Sequence, residues 1–179
     1  MAALLREVVE VCLLKRGPQD LPFSPPAVAA FTAALLGVQL VFAAYHDAGA
    51  AALAARALVT LLILFGATLA LLRFRAMENR ASQTLLALAG TSLVFSLVMM
   101  PLALVLRPYL GNDNPPPSMM VFALAAVFAF FWKLRVEAAI WRQALEIPVA
   151  AAYLLTFALL MSEALLLLAL VPATVPATP

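Results

Sequence analysis

Five long apolar segments, separated by short stretches of charge, proline or glycine, form the main pattern of this sequence. They run from about residue 27 to 45, 50 to 72, 83 to 106, 119 to 132 and 148 to 171. A helix of about 18 or more apolar residues is long enough to cross a hydrocarbon core of ~30 Å. The pattern therefore predicts an all-α polytopic membrane protein, with five transmembrane helices between residues 27 and 172.

The fourth apolar segment ends at Trp132 and is short for a span. The charged residues Lys133, Arg135 and Glu137 follow it directly. We therefore expect one helix that leaves the bilayer near Trp132 and continues in the surface layer to about Glu146. Lys133 and Glu137 are four residues apart, so they are expected to pair on this helix. A four-span arrangement without the fourth or fifth segment is the alternative, and it places the loops less naturally.

Residues 1–16 predict an amphipathic helix, because Leu5, Val8 and Cys12 share one face. Arg6 and Glu10 lie elsewhere on this helix, and the segment is too short and too charged to span a bilayer. Such a segment is typical of an interfacial helix in the headgroup layer. A helix packed against the inner ends of the spanning helices is an equally favoured and compatible alternative.

A connector that contains four prolines follows at residues 17–26. Proline removes a backbone donor and interrupts helices, so the connector predicts a stiff link at the membrane surface. Ser24 is a candidate N-cap for the first span. At the other end of the chain, residues 173–179 predict a disordered tail.

The composition favours a membrane protein and excludes several other classes. Of the 179 residues, 66% are hydrophobic and 11% are charged, so a soluble fold of this size has too little interior to hide the apolar surface. The single cysteine excludes an intrachain disulfide, and the single histidine excludes a multi-histidine metal site. The net charge of +2 gives no indication of nucleic acid as a partner. No catalytic or cofactor-binding motif occurs, which predicts a protein that is not an enzyme and holds no cofactor or metal.

The distribution of Lys and Arg predicts the orientation of the chain in the membrane. Five spans put the termini on opposite sides, with Arg56 and Arg107 on or near one side and nine basic residues on the other. Those nine are Arg6, Lys15, Arg16, Arg73, Arg75, Arg80, Lys133, Arg135 and Arg142. Short loops rich in Lys and Arg stay in the cytoplasm. With an Ala, Leu, Arg and Pro bias that favours a bacterial source, this predicts an inner-membrane protein with a cytoplasmic N-terminus and a periplasmic C-terminus.

Two ionisable residues fall inside apolar segments, where charge is costly and is a functional candidate by default. Arg56 lies about 10 Å and Glu163 about 12 Å deep from the same outer side, at 1.5 Å per residue. We expect them to form an ion pair between the second and fifth spans. Such a pair either locks two helices together or forms a polar site for a solute, a lipid headgroup or a proton. Alternatively, Arg56 extends outward to Asp47 or to the headgroups.

Three hydroxyl side chains, those of Thr91, Ser92 and Ser96, lie near the middle of the third span. Such groups usually donate to the backbone of their own helix or to a neighbouring helix. The less favoured alternative is that they line the path of a solute.

The segment KRGPQDLPFSP, from Lys15 to Pro25, looks like the opening of small proteobacterial inner-membrane proteins. With an amphipathic helix before it and five closely spaced spans after it, the chain resembles the bacterial Yip-type membrane domain. The resemblance implies an integral membrane protein without known catalysis, such as an adaptor in trafficking or envelope organisation. It covers most of the chain in layout but only this segment in motif, and it transfers no functional residue.

Three functions are open from the sequence. The leading one is a non-catalytic scaffold or accessory subunit that acts through its cytoplasmic surface, where both tryptophans are expected. Its expected partners are the lipid bilayer, anionic headgroups and a second membrane protein, and its basic residues are Arg73, Arg75, Arg80, Lys133, Arg135 and Arg142. The second is a small transporter or channel with its polar site at Arg56 and Glu163. The third is a membrane enzyme that acts on lipid.

Overall fold

The computed structural model describes residues 2–44, 49–109 and 116–170, and all regular structure in these ranges is helical. Five of the helices are long and apolar enough, by length and composition, to cross a membrane. The prediction of an all-α polytopic membrane protein is therefore confirmed. The turn expected around His46 and Asp47, the middle of the outer loop at 110–115 and the tail at 173–179 lie outside the described residues.

Seven α-helices form the described part of the chain. They are α1 (Ala2–Cys12), α2 (Pro25–Ala44), α3 (Ala50–Leu61), α4 (Thr68–Phe74), α5 (Ala81–Leu106), α6 (Pro117–Leu145) and α7 (Val149–Leu170). A π-helical segment, Leu62–Ala67, joins α3 and α4 into one continuous span. Short 3₁₀ turns lie at Pro18–Asp20, Glu78–Arg80 and Arg107–Tyr109.

The start of α2 follows the sequence closely. Two prolines occupy its first turn, where no intrahelical donor is needed. The backbone N–H of Ala27 donates to the Ser24 hydroxyl at 3.4 Å, which confirms Ser24 as the N-cap. The helix that was expected to leave the bilayer near Trp132 is one uninterrupted element, α6, about 43 Å long at 1.5 Å per residue. It ends where Glu146 adopts a left-handed conformation, with φ of 52°.

The core is centred on the first half of α5, in which every residue from 84 to 91 is buried. Helices α2 and α6 pack most extensively against it. Leu86 and Ile140, for example, are 0% and 1% exposed. The far half of the bundle instead exposes large apolar side chains, including Val98, Leu124 and Leu165. In lipid these positions carry no penalty, so the bundle is held together mainly by close packing in its first half.

Helix α1 packs against α5 and α6. Val8 is fully buried, and it lies so close to Gly90 that a Cβ atom on Gly90 would be 2.8 Å from a Val8 methyl carbon. The indole N–H of Trp132 donates to the backbone carbonyl of Cys12 at 2.9 Å. The structure thus shows the packed arrangement that was one of the two alternatives for this helix.

The connector is also part of the folded bundle. The Asp20 carboxylate accepts a hydrogen bond from the Gly17 N–H at 2.8 Å, and the Leu21 side chain is 1% exposed. The amide of Gln83 donates to the carbonyls of Gln19 and Leu21, at 3.2 and 2.7 Å. These contacts fix residues 17–21 against the start of α5, so the proline-rich link has a structural role.

The connector, the α4–α5 turn and the α6–α7 turn together form what we call the basic end of the bundle. Here two arginines satisfy the last carbonyls of α6, which have no partner within the helix. Arg75 donates to the carbonyl of Leu145 at 3.2 Å. Arg80 donates to the carbonyl of Gln143 at 3.1 Å and forms an ion pair with Glu146. Part of the positive charge at this end therefore serves the fold itself.

Candidate intramembrane polar site

A cleft of about 190 Å³ lies at the centre of the bundle, and all five spans contribute to its lining. Seven of its nine polar lining residues belong to segments that the hydropathy pattern marks as apolar, and the other two, Lys133 and Glu137, follow the fourth segment. The polar residues that line it are Gln39, Thr60, Thr68, Ser92, Ser96, Lys133, Glu137, Thr156 and Glu163. We call it the central cleft.

Three charged groups reach the central cleft from the α6–α7 hairpin. Lys133 lies 12 residues before the end of α6, and Glu163 lies 14 residues after the start of α7. At 1.5 Å per residue these positions are about 18 and 21 Å from the α6–α7 turn, so the antiparallel helices bring them to one level. Glu137 lies four residues after Lys133, so the two side chains share one face of α6.

Lys133 and Glu137 form the ion pair that their spacing predicts. Their side chains are 28% and 15% exposed, so the pair is partly withdrawn from the surroundings. Glu163 lines the same cleft, yet it has no ion pair or side-chain hydrogen bond among the residues that the structure describes. A carboxylate in this position is the strongest single candidate for binding a ligand.

Arg56 does not form the direct ion pair with Glu163 that the sequence led us to expect. No contact of 4 Å or less joins their charged groups within the described ranges. Arg56 instead lines a small separate cleft between α2 and α3, together with Gln39. The antiparallel packing of α6 and α7 instead places Lys133 at the level of Glu163, and both side chains line the central cleft. Gln39 lines both clefts and is the residue that they share.

The three hydroxyls of α5 divide into two groups. Thr91 donates to the carbonyl of Ala87 in its own helix at 2.8 Å, as the favoured interpretation predicted. Ser92 and Ser96, one turn apart, line the central cleft. The alternative that they line the path of a solute stays a prediction. Across the cleft, the Thr60 hydroxyl donates to the side-chain oxygen of Gln39 at 3.2 Å.

Two further features of the central cleft were not expected from the sequence. Ile63 and Leu64 of the π-helical segment line it, and π-bulges are frequent at functional sites. The hydroxyl of Thr68 is buried beside it, without a hydrogen-bond partner in the described part of the chain. An unsatisfied buried hydroxyl is rare, since it costs the desolvation of the group.

The prediction of the cytoplasmic surface is wrong for two residues, Lys133 and Trp141. Both were expected there, but both line the central cleft, and Trp141 is only 3% exposed. The spacing of Lys133, Glu137 and Trp141 is the signal that would have placed them together, because residues at intervals of four follow one helix face. Trp132 contacts α1, as described above.

The remaining basic residues lie outside the central cleft. Arg73 pairs with Glu78 at 3.2 Å, and its side chain is 76% exposed. Arg75 and Arg80 bind the end of α6. Arg135 lies over the Trp132 ring, 5.6 Å from its centre. Arg142 is exposed on the last turns of α6.

Comparison with known proteins gave no match to a family model, to a curated protein or to a solved structure.

Proposed function

We propose that this integral membrane protein transports a small, positively charged solute, which binds in the central cleft. The proposal depends on one observation, the Glu163 carboxylate that lines the cleft without an ion pair or side-chain hydrogen bond among the described residues. Lys133 is already neutralised by Glu137. When all three groups are ionised the cleft carries a net charge of about −1, and a bound cation supplies the missing counter-charge.

The size and lining of the central cleft define the class of solute. A volume of about 190 Å³ holds about six water molecules at ~30 Å³ each, or one small organic cation in their place. Hydroxyl and amide oxygens at Gln39, Ser92 and Ser96 surround the space as hydrogen-bond acceptors. Carboxylate and oxygen ligands suit a hydrated monovalent cation or a small ammonium ion.

Transport across a bilayer requires the cleft to open alternately toward each side. The cleft extends along α6 from Lys133 to Trp141, which is about 12 Å and less than the ~30 Å thickness of the hydrocarbon core. A conformational change must therefore complete the path. The π-helical segment Leu62–Ala67 is the proposed hinge, since it lines the cleft and interrupts the regular hydrogen bonding of its span.

A scaffold that acts through its basic surface has less support from the contacts. Arg75 and Arg80 are engaged with the end of α6, and Lys133 and Trp141 face the interior. Each of these side chains already makes contacts within the molecule. The charge of the basic end still favours a cytoplasmic location for it in a bacterial inner membrane.

The proposal is tested by cation uptake into liposomes that contain the purified protein. Radiolabelled sodium, guanidinium and choline are the probes, and we expect uptake of at least one of them to exceed that of protein-free liposomes. Glu163→Gln keeps the shape of the side chain but removes its charge, so it should lower that uptake about tenfold or more.

Glu78→Gln is the matched control, because Glu78 is exposed and pairs with Arg73 away from the cleft. This variant should retain full uptake. The proposal is wrong if none of the three cations enters faster than in empty liposomes, or if Glu163→Gln transports as well as Glu78→Gln.

A further inference from the structure

A second groove, independent of the central cleft, lies between α6, α7 and the residues that follow α1. Its volume is about 300 Å³, and its lining combines three arginines with small side chains. The arginines are Arg16, Arg135 and Arg142. Ala138, Ala139 and Ala152 line its walls, and because alanine has no side chain beyond Cβ, space remains between the two helices.

Two of the three arginines of this groove are available to bind an anion. Arg135 and Arg142 are seven residues apart, so they lie on one face of α6, about 10 Å from each other along the axis. Neither has an ion-pair partner among the described residues. Arg16 is the exception, since it pairs with Glu10 at 2.7 Å and with Glu7 at 3.5 Å.

The other acidic groups nearby are already neutralised. On α6, Glu137 pairs with Lys133 in the central cleft, and Glu146 pairs with Arg80 at the basic end. The groove therefore has an excess of positive charge. Arg135 is also held in place by the Trp132 ring below it, which reduces the entropy that binding costs.

An apolar depression adjoins the basic groove. Tyr153 lines the basic groove and also a second depression of about 270 Å³ along α7, lined by Leu134, Leu154 and Phe157 among others. Leu154 and Phe157 are 71% and 56% exposed. A positively charged pocket beside an apolar depression matches a molecule with an anionic head and a hydrocarbon chain.

We infer that this groove is a binding site for an anionic phospholipid. The phosphate binds Arg135 and Arg142, the phenol of Tyr153 lies at the boundary, and an acyl chain follows the depression formed by Leu134, Leu154 and Phe157. Basic pockets between transmembrane helices are a known means of binding anionic headgroups. The adjoining apolar depression favours a lipid over free phosphate, because free phosphate has no acyl chain to bind there.

Native mass spectrometry of the detergent-purified protein tests this inference. The probes are phosphatidylglycerol and phosphatidylcholine with identical acyl chains, each titrated separately. We expect phosphatidylglycerol to bind more tightly, and the double variant R135Q/R142Q to weaken it about tenfold or more. A139L should weaken it as well, because it fills the groove without changing the charge.

The control is R6Q/R73Q, which removes two exposed positive charges outside the groove. Its affinity for phosphatidylglycerol should equal that of the unmodified protein, and millimolar inorganic phosphate should not displace the lipid. Equal affinities for the two lipids, or an equal loss in R6Q/R73Q, would show attraction to general surface charge and overturn the inference. Displacement by inorganic phosphate would show that the site binds the phosphate group alone and would overturn the assignment to a lipid.

Discussion

Cys12 shows at the residue scale how burial controls chemistry in this protein. Its side chain, at the end of α1, is 6% exposed, and burial raises the pKa of the thiol to about 11. The thiolate is the reactive form, so very little of it is present at neutral pH.

We therefore predict that Cys12 reacts with a thiol reagent about a hundredfold more slowly at pH 8 than an exposed cysteine does. The rate should rise about tenfold per pH unit and level off only near pH 11. Labelling of the folded protein over a pH series, with denatured protein as the reference, measures this. A plateau near pH 9 would contradict the burial of Cys12.

The residues of the central cleft differ in how far the sequence predicts them. The sequence alone identifies Glu163 as a candidate site residue, because a carboxylate inside an apolar segment is rare. Lys133 and Glu137 are missed, since they follow the short fourth apolar segment and are equally consistent with a surface helix. The sequence predicts the continuity of α6, but the position of both side chains also depends on the register of α6 against α7, which is set by tertiary packing.

At the scale of elements, the docking of α1 depends on the absence of a side chain at Gly90. A Cβ atom there would lie 2.8 and 2.9 Å from the two methyl carbons of Val8, but 3.5 Å from its Cβ atom. The first two distances are too short for a contact between non-bonded carbon atoms, and the third is an ordinary van der Waals contact. The amphipathic pattern of α1 predicts which face it buries, whereas its docking site on α5 requires the structure.

We predict that Gly90→Ala displaces α1 and exposes Cys12, so that labelling at pH 8 becomes at least about tenfold faster. Val8→Ala removes the two overlapping methyl groups, so the double variant V8A/G90A should regain slow labelling. Thiol labelling of the three proteins side by side measures this. Equally fast labelling in Gly90→Ala and V8A/G90A would show that the contact between Val8 and Gly90 does not hold α1 in place.

At the scale of the whole molecule, the number of spans follows from the sequence because lipid leaves few alternatives. Backbone groups must be satisfied within each segment, so every long apolar run forms a helix. The same solvent gives no directional force between apolar helices, and their arrangement depends on small residues and polar contacts. Gly90, the arginines that bind the end of α6 and the hydrogen bonds of Gln83 supply these contacts, and none is evident from hydropathy.

A cleft that binds a hydrated cation must admit water into a bundle surrounded by lipid. Cysteine accessibility tests it most directly, in a Cys12→Ser background and with the protein in liposomes. Ser96→Cys places a thiol in the central cleft, and Leu165→Cys places one on α7 where the native side chain is 65% exposed toward lipid. We predict that a small, water-soluble thiosulfonate reagent modifies Ser96→Cys and leaves Leu165→Cys unmodified, because thiolate formation requires water. Equal lack of reaction at the two positions would show that water does not enter the central cleft.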